Sequence, residues 1–463
     1  MKKFLKIIIS LLLIILAALF LALDGVDYKP YFDEDYYANT KTRLDSITDV
    51  LTLQTGRVQV GFGKVSITPT LGVEKDDPAK GAFSSLPLAG YGAREGKPAE
   101  GIHDSLFIKT VALQVGNEVV VLIGSDILIV SPQISKGVSK ELFEIRNLKR
   151  SQLFFNATHT HSGVGAWSEG IVGELFAGPA NPSVAEWLID CYVRAVEDAL
   201  DDLEPGNLGT GRFDAPGFIS NRLVGEKGMK NSEFVFIVAG QESGKKAILG
   251  SFGGHPTMLG SGNLMLSGDF PGYWQRKLED SGADMAVYFA GSVGSHSAKS
   301  HGEKFDKPKY IGEALADSVL KYDDDILLQD TISLASITLK MDLPEFHFRV
   351  TDGIRLAPGI VRKLLPDIGD VYVQTARIGD LMWATAPSDF SGELTIGYRN
   401  AMCKYGFNAL VTSFNGSYTG YIIPGKYYHL NEYESRLMSW FGPYMGPYTN
   451  EMIGRMMKNL AEL

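Results

Sequence analysis

Short apolar runs of strand spacing alternate along this chain with longer segments of helical spacing. Two pairs of β-rich runs meet at turn dipeptides, Gly116-Asn117 and Gly379-Asp380, which predicts two hairpins. Strands are predicted at 58–67, 107–115, 118–127, 153–155, 234–239, 247–252, 284–289, 332–341, 371–378, 381–386 and 409–414, and helices at 132–148, 182–203 and 311–320. No internal repeat or interdomain linker is recognisable, so the pattern predicts an α/β (mixed α+β) fold with a single large domain.

The N-terminus has the pattern of a membrane segment. Lys2, Lys3 and Lys6 precede an apolar run over residues 7–23 that only Ser10 interrupts. This length is at the short end of a spanning helix. The small-residue cleavage pattern of a signal peptide is poor, which favours an uncleaved signal anchor with the lysines cytoplasmic. A cleaved signal peptide is the alternative.

These features divide the chain into three predicted segments. Residues 1–25 are a signal anchor or signal peptide, 26–56 a polar spacer or first surface helix, and 57–463 the large α/β domain. The body is expected to be membrane-anchored and extracytoplasmic, either periplasmic or extracellular, and to be secreted if the N-terminal segment is cleaved. The oligomeric state is not indicated by the sequence.

The net charge and the cysteine count argue against some classes of partner and of site. The 463 residues carry a net charge of −10, which argues against a nucleic-acid backbone as partner. Cys191 and Cys403 can form at most one bridge, so neither a disulfide framework nor a cysteine-rich metal site is expected.

The most informative stretch is Asn156-Ala-Thr-His-Thr-His-Ser-Gly163, which follows an apolar run. In an extended backbone His159 and His161 point to the same side, as metal sites and general-base sites both require. A pair of structural, hydrogen-bonded histidines is the alternative. Other apolar runs also end in loops with polar groups: His255, Ser295/His296/Ser297 and Asp389. Two or three histidines with one carboxylate suit zinc.

These motifs, in their order along the chain, resemble the neutral/alkaline (non-lysosomal) ceramidase family, zinc-dependent amidases that cleave the fatty acid from sphingosine. The resemblance covers the catalytic domain only and is that of a divergent member. The matching segments are Val60-Gly-Phe-Gly63, Gly90-Tyr-Gly92, Gly101-Ile-His103, Ser125-Asp126, Thr158-His-Thr-His-Ser-Gly163, Asn221-Arg222, His255-Pro-Thr257, Ser267-Gly-Asp269, Gly272-Tyr273, Tyr418, Tyr421, Tyr428, Tyr433-Glu434 and Phe441-Gly-Pro443.

Carried over position by position, the resemblance implies a zinc-dependent hydrolase of ceramide or a related N-acyl lipid. It implies zinc held by His159, His255, Asp389 and Tyr421. It further implies His161 as general base or as a group beside the zinc ligands, Arg222 and Tyr433 as oxyanion donors, and Ser297 as nucleophile.

Departures from the family pattern leave alternatives. The expected glutamate ligand is Asp389, and Glu393 is the substitute four residues later. The nucleophile segment is altered, so Ser295 or a zinc-bound water competes with Ser297. Hydrolysis of another N-acyl amine or an ester is therefore an alternative function. A catalytically inactive, membrane-anchored binding protein is the second class.

Overall fold

The computed structural model describes residues 2–463, in which two β-sheets pack face to face. The strands of the eight-stranded sheet are, in spatial order, Met285–Ala290, Lys246–Phe252, Glu233–Gln241, Glu204–Asp214, Gln59–Ser66, Phe107–Val115, Glu118–Ser125 and Leu153–Ala157. Those of the five-stranded sheet are Gln54–Arg57, Thr331–Lys340, Tyr372–Ile378, Leu381–Thr385 and Asn408–Thr412. Side chains such as Phe154, Phe289 and Trp383 fill the space between the sheets.

Helices cover the outer faces of both sheets, which gives four layers. Two pairs lie on the eight-stranded sheet: Pro132–Arg146 with Pro182–Asp201, and Asp269–Asp280 with Asp306–Tyr322. The five-stranded sheet is covered by Asp35–Thr48, Gly392–Cys403 and Met445–Ala461. The remaining helices are Lys2–Ala22, Ile171–Ala177 and Pro358–Leu364. The predicted fold class, a mixed α/β single domain, is confirmed.

Both predicted hairpins form, with Gly116 and Gly379 at positive φ. The strand Glu204–Asp214 was not predicted, because its glycines interrupt the apolar alternation. It lies in the middle of the eight-stranded sheet, where neighbours press close. A Cβ at Gly211 would lie 2.2 Å from the Phe236 ring. Close packing of the neighbouring strands therefore explains why this strand is rich in glycine and poor in the residues that normally favour a strand.

Within the two large sheets, three strand pairs are parallel, and they decide where the site lies. They join Glu118–Ser125 to Leu153–Ala157, Lys246–Phe252 to Met285–Ala290, and Leu381–Thr385 to Asn408–Thr412. Predicted site residues lie in the loops after five of these six strands, all except Glu118–Ser125. The carboxyl ends of parallel strands are where α/β proteins place ligands. Here two sheets, rather than one, contribute to that end.

Asn156 connects the two sheets at this end. Its Nδ2 donates to the Ser413 carbonyl at 2.5 Å, and its Oδ1 accepts from the Ala290 N–H at 3.0 Å. Ser413 follows a strand of the five-stranded sheet, and Ala290 ends a strand of the eight-stranded sheet. The fully buried amide therefore fixes the loop that begins with Thr158.

The N-terminal region contains the predicted apolar helix, and the segment after it is a surface helix and a strand and not a spacer. Lys3–Ala22 is a helix apolar enough to cross a membrane, with mean hydropathy 3.0 and no burial against the body. Met1 of the predicted 1–25 segment lies outside the described residues. Residues 26–56 do not form a spacer, because the helix Asp35–Thr48 packs on the body and Gln54–Arg57 pairs with Thr331–Leu334. Tyrosines in this stretch supply the apolar area that makes the docking stable.

Candidate metal and hydrolytic site

Three histidine side chains converge at the end of the parallel strands. The Nε2 of His255 lies 3.0 Å from the Nε2 of both His159 and His161, and those two are 3.2 Å apart. The strand before the pair ends at Ala157, and His159 adopts a left-handed φ of 61°. Strand alternation is therefore not what aligns the two rings, since a strained turn does so instead.

The opposite ring nitrogens show how these imidazoles are protonated. Nδ1 of His159 lies 2.7 Å from the Leu128 carbonyl oxygen, and Nδ1 of His161 lies 3.0 Å from that of Gly90. Nδ1 of His255 lies 3.3 Å from the Val293 carbonyl oxygen. A carbonyl only accepts, so each Nδ1 carries the proton and each Nε2 presents a lone pair.

Burial keeps this cluster neutral. It lowers the pKa of His159 to about 3 and places the pKa of His161 and His255 well below the usual value. Three lone pairs that face one another within 3.2 Å repel unless a cation lies between them. Tetrahedral ligands at zinc–nitrogen distances are about 3.3 Å apart. The cluster therefore fits a zinc-sized cation.

The geometry does not separate the roles of His159 and His161 in the way that the resemblance implies. His161 was expected to act as a base or beside the ligands, yet its Nε2 is as close to the common point as those of the predicted ligands His159 and His255. It differs in burial, because it is half-exposed and borders the cavity described below.

Asp389 supplies the carboxylate closest to the histidines. Its Oδ1 is buried without a hydrogen-bond partner and lies 3.5 Å from Nε2 of His159. Its Oδ2 accepts from the Tyr418 hydroxyl at 2.7 Å. Burial raises the pKa of Asp389 to about 6. An unpartnered buried carboxylate oxygen of this kind is expected beside a cation.

Glu393, the alternative ligand, is directed elsewhere. Its carboxylate accepts from the Asn221 amide and the Tyr427 hydroxyl and pairs with Lys426 at 3.1 Å. The structure therefore places Asp389, and not Glu393, at the histidine cluster.

Arg222 and the two predicted tyrosines form the next wall. Nη2 of Arg222 donates to the Tyr421 hydroxyl at 2.9 Å, and its Nε pairs with Glu434 at 2.8 Å. The Tyr433 ring stands edge-on to Tyr421 with centroids 5.8 Å apart. Burial raises the pKa of Tyr433 to about 12, so its phenol keeps its proton and can donate. The role of Tyr421 as a metal ligand stays a prediction.

The two candidate serines have different surroundings. Ser295 is fully buried, and its Oγ lies within 3.1 Å of Nδ1 of His296, the Ser391 hydroxyl and the Gly392 N–H. These bonds tie its loop to the loop of Asp389. Ser295 therefore has a structural role and does not reach the cavity.

The backbone of Ser297 lies between those of His255 and Ser220. It bridges to His255 in parallel fashion and pairs with Ser220, two residues before Arg222. The side chain is half-exposed, and its hydroxyl makes no hydrogen bond within residues 2–463. The structure thus brings Ser297, and not Ser295, next to a predicted ligand with its hydroxyl free.

An apolar cavity of about 90 Å³ opens onto the cluster. His159, His161 and Asp389 lie on its polar side. The rest of its wall is mostly apolar or aromatic and includes Leu128, Ile129, Trp167, Val172, Phe176, Met438 and Trp440. Polar groups at one end of an apolar cavity suit a substrate with a polar reactive bond and a hydrocarbon part.

Several supporting residues were not assigned from the sequence. Phe414 stacks on the His159 ring at 4.1 Å, and Arg94 donates to the His161 carbonyl oxygen at 2.6 Å. The hydrogen-bond partners of the Nδ1 atoms are backbone carbonyls, which no residue type indicates. A positive φ at Phe414, 66°, adds a second strained position beside the site.

Comparisons with known proteins give a family match for part of the chain and a shared fold. Residues 70–224 match the family described as neutral/alkaline non-lysosomal ceramidase, N-terminal. The neutral ceramidase from Pseudomonas aeruginosa superposes with a TM-score of 0.71 and 20% identity, over 88% of this chain and 75% of that chain. A ceramidase complexed with C2 superposes with a TM-score of 0.71 and 18% identity, over 88% of this chain and 76% of that chain. The family match over residues 70–224 supports the predicted family, and the fold is that of these ceramidases.

Proposed function

We propose that this chain, which belongs to the neutral/alkaline ceramidase family, is a zinc-dependent amidohydrolase that cleaves the amide bond of ceramide or a related N-acyl lipid. The observation that carries the proposal is the convergence of three histidine lone pairs and one unpaired carboxylate oxygen at the polar end of an apolar cavity. This arrangement suits an amide with a hydrocarbon chain attached.

His159, His255 and Asp389 would hold the metal, since their free atoms share one small volume. When bound, zinc would supply a positive charge that polarises the scissile carbonyl. His161 has two candidate roles. Its position makes it a third nitrogen donor, whereas the family resemblance makes it the imidazole that takes a proton from the nucleophile.

The other groups would act on the acyl carbon and its oxygen. Ser297 Oγ would attack the carbonyl carbon, with its proton passing to an imidazole and then to the leaving amine. Arg222 and the protonated phenol of Tyr433 would donate to the oxygen as negative charge develops there. Hydrolysis of the acyl group would release the fatty acid.

A lipid substrate is consistent with the N-terminal helix, which is apolar enough to cross a membrane. Lys2, Lys3 and Lys6 precede the span, which supports an anchor with a cytoplasmic N-terminus and an extracytoplasmic body. We therefore propose a membrane-bound enzyme whose substrate resides in the same membrane.

One experiment tests metal and activity together. The full-length protein is purified in detergent, its metal content is measured by mass spectrometry, and turnover is assayed with short-chain ceramide, a simple N-acyl amine and a matched ester. We expect about one zinc per chain and preference for the ceramide. Turnover of the ester or simple amide alone would assign another hydrolase activity, and absence of any turnover by the zinc-loaded protein would indicate a binding protein.

A single substitution decides the role of His161. His161→Gln removes the imidazole at the half-exposed position of the cluster. If His161 is a donor, zinc content falls along with activity. If it is the proton acceptor, zinc stays near one per chain while activity is lost. His301→Gln, at an exposed histidine outside the site, is the control.

A further inference from the structure

The mouth of the apolar cavity is bordered by exposed apolar side chains. Ile171 and Leu175 are 65% and 50% exposed and stand one turn apart on the helix Ile171–Ala177. Val172 and Phe176 of the same helix line the cavity. This helix is thus apolar on its inner and its outer side, which a helix facing water on its outside does not require.

The opposite side of the mouth repeats this arrangement. Tyr433 and Leu437 begin and end a π-helical turn and are 44% and 45% exposed. Tyr433 lines the cavity, and so does Met438, the residue after Leu437. We name Ile171, Leu175, Tyr433, Leu437 and the 40% exposed Ile354 the apolar rim.

The membrane helix is fixed to the segment that carries Ile354. Leu23–Gly25 pairs antiparallel with Ile354–Leu356, and the Ala357 N–H donates to the Ala22 carbonyl oxygen at 2.9 Å. Arg355 pairs with Asp24 at 2.9 Å. The helix therefore leaves the body from a defined strand and not from a flexible tether.

That segment emerges from the same end of the five-stranded sheet as the site. It begins after Lys340 and returns before Tyr372, which are paired residues. The following strand places Gln374 opposite Thr385, four residues before Asp389. The membrane helix and the catalytic groups thus share one end of the molecule.

Contacts link this segment to both sides of the mouth. Arg436, in the turn that bears Tyr433 and Leu437, donates to the Val350 carbonyl oxygen at 3.0 Å. Pro366 lines the cavity and lies against Gly170, next to Ile171. The anchor exit, the apolar rim and the cavity mouth therefore form one continuous surface.

We propose that the apolar rim lies in the surface of the bilayer that the helix Lys3–Ala22 spans, so that the cavity opens directly to the lipid. The occupant of this surface is a lipid bilayer, because the helix that spans it is fixed to the segment that carries Ile354. The orientation does not depend on catalysis, whereas uptake of substrate from the bilayer rests on the proposed function.

Site-specific quenching tests the orientation without an activity assay. Full-length protein with Cys403→Ser is reconstituted in phosphatidylcholine nanodiscs, and Leu175→Cys or Leu437→Cys is labelled with an environment-sensitive fluorophore. Cys191 is buried, so it does not compete for the label. Leu327→Cys is the matched control, because Leu327 is 77% exposed and precedes the end of Thr331–Lys340 opposite to the site.

Doxyl-labelled lipid is expected to quench the probes at 175 and 437 at least about threefold more than the probe at 327. Equal quenching at the three positions would overturn the proposal.

An activity measurement then separates the two proposals. In the double variant Leu175→Ser/Leu437→Ser, turnover of long-chain ceramide in nanodiscs is expected to fall about tenfold, with turnover of a water-soluble short-chain ceramide unchanged. Quenching without any turnover would refute the proposed function and leave the orientation standing. An equal loss on both substrates would contradict delivery from the bilayer.

Discussion

Two loops at the same end of the eight-stranded sheet differ in how their polar atoms are used. The histidine loop follows Leu153–Ala157 and leaves the Nε2 atoms of His159 and His161 without a protein donor. The serine loop follows Met285–Ala290 and gives the Ser295 hydroxyl three partners within 3.1 Å. Both loops are rich in polar residues, yet only the first presents two imidazole lone pairs without a protein donor.

The difference shows that residue type does not distinguish a functional polar cluster from a structural one. Buried polar groups are normally paired, so the groups left unpaired carry the information. At the histidine cluster these are the three histidine lone pairs and Oδ1 of Asp389. Ser297 is the exception in the serine loop, because it is half-exposed and its hydroxyl is free.

The largest expected effect comes from removing a histidine of the unpaired cluster. His255→Ala deletes one donor and opens a space beside the other two. We expect loss of bound zinc and a decrease in kcat of roughly 10³–10⁴-fold, since the metal contributes several kcal/mol to stabilising the transition state. Metal content by mass spectrometry and steady-state kinetics measure both.

His301→Ala is the control for this substitution, and it should retain zinc and activity, because His301 is exposed. Zinc retained near one per chain in His255→Ala would show that the convergence of lone pairs does not form the metal site.

The two serines provide a direct test of the contrast within one loop. Ser297→Ala is expected to lower kcat by roughly 10²–10³-fold with zinc retained, since the polarising metal and the oxyanion donors remain. Ser295→Ala is expected to keep kcat within about threefold but to lower the free energy of unfolding by about 1–3 kcal/mol, because buried partners lose a hydrogen bond. Kinetics and denaturant titration separate the two outcomes, and the reverse pattern would assign the nucleophile to Ser295.

The regular parts of the fold were predictable because apolar alternation and turn dipeptides coincide there. Gly116-Asn117 and Gly379-Asp380 mark the hairpins that form. The strand Glu204–Asp214 was missed because close packing requires glycine at several of its positions. Residues 26–56 looked like a spacer, because their docking depends on tyrosines whose partners are distant in sequence, such as Glu451.

The site was predictable as a set of residues but not as a geometry. The resemblance named His159, His255, Asp389 and Arg222, and all four lie together. The prediction that strand alternation aligns the two histidines was wrong, since His159 lies beyond the strand at a positive φ. The pairing of Ser295 with Ser391 could not be foreseen, because it joins loops 96 positions apart.

Asn156 tests whether the loop geometry depends on the junction of the two sheets. Asn156→Ala leaves the Ala290 N–H and the Ser413 carbonyl without this partner. We expect a decrease of about 2–3 kcal/mol in the free energy of unfolding, measured by denaturant titration. Asn459→Ala, which removes one bond to Thr48 near the surface, should cost less than about 1 kcal/mol. Equal costs for the two variants would show that the junction is not important.

The smallest effect concerns the pH dependence of zinc binding by the metal-free protein. Burial lowers the pKa of His159 to about 3 and also lowers those of His161 and His255, so the imidazoles already present lone pairs at pH 6. Burial raises the pKa of Asp389 to about 6, so this carboxyl is the group that gains a proton as the pH falls below that value.

Zinc affinity should therefore be constant above pH 6.5 and fall about tenfold per pH unit below pH 6, as displacement of one proton requires. Imidazoles with an ordinary pKa would instead give a loss of up to roughly a thousandfold per unit, since three protons would be displaced. Competition with a chromophoric chelator between pH 4.5 and 7.5 measures the slope. Asp389→Asn should bind zinc more weakly but with almost no slope over this range, because the remaining donors stay neutral. A three-proton slope in the unmodified protein would show that the histidines are not held neutral by burial, and the distinction between paired and unpaired polar groups would then not explain the site.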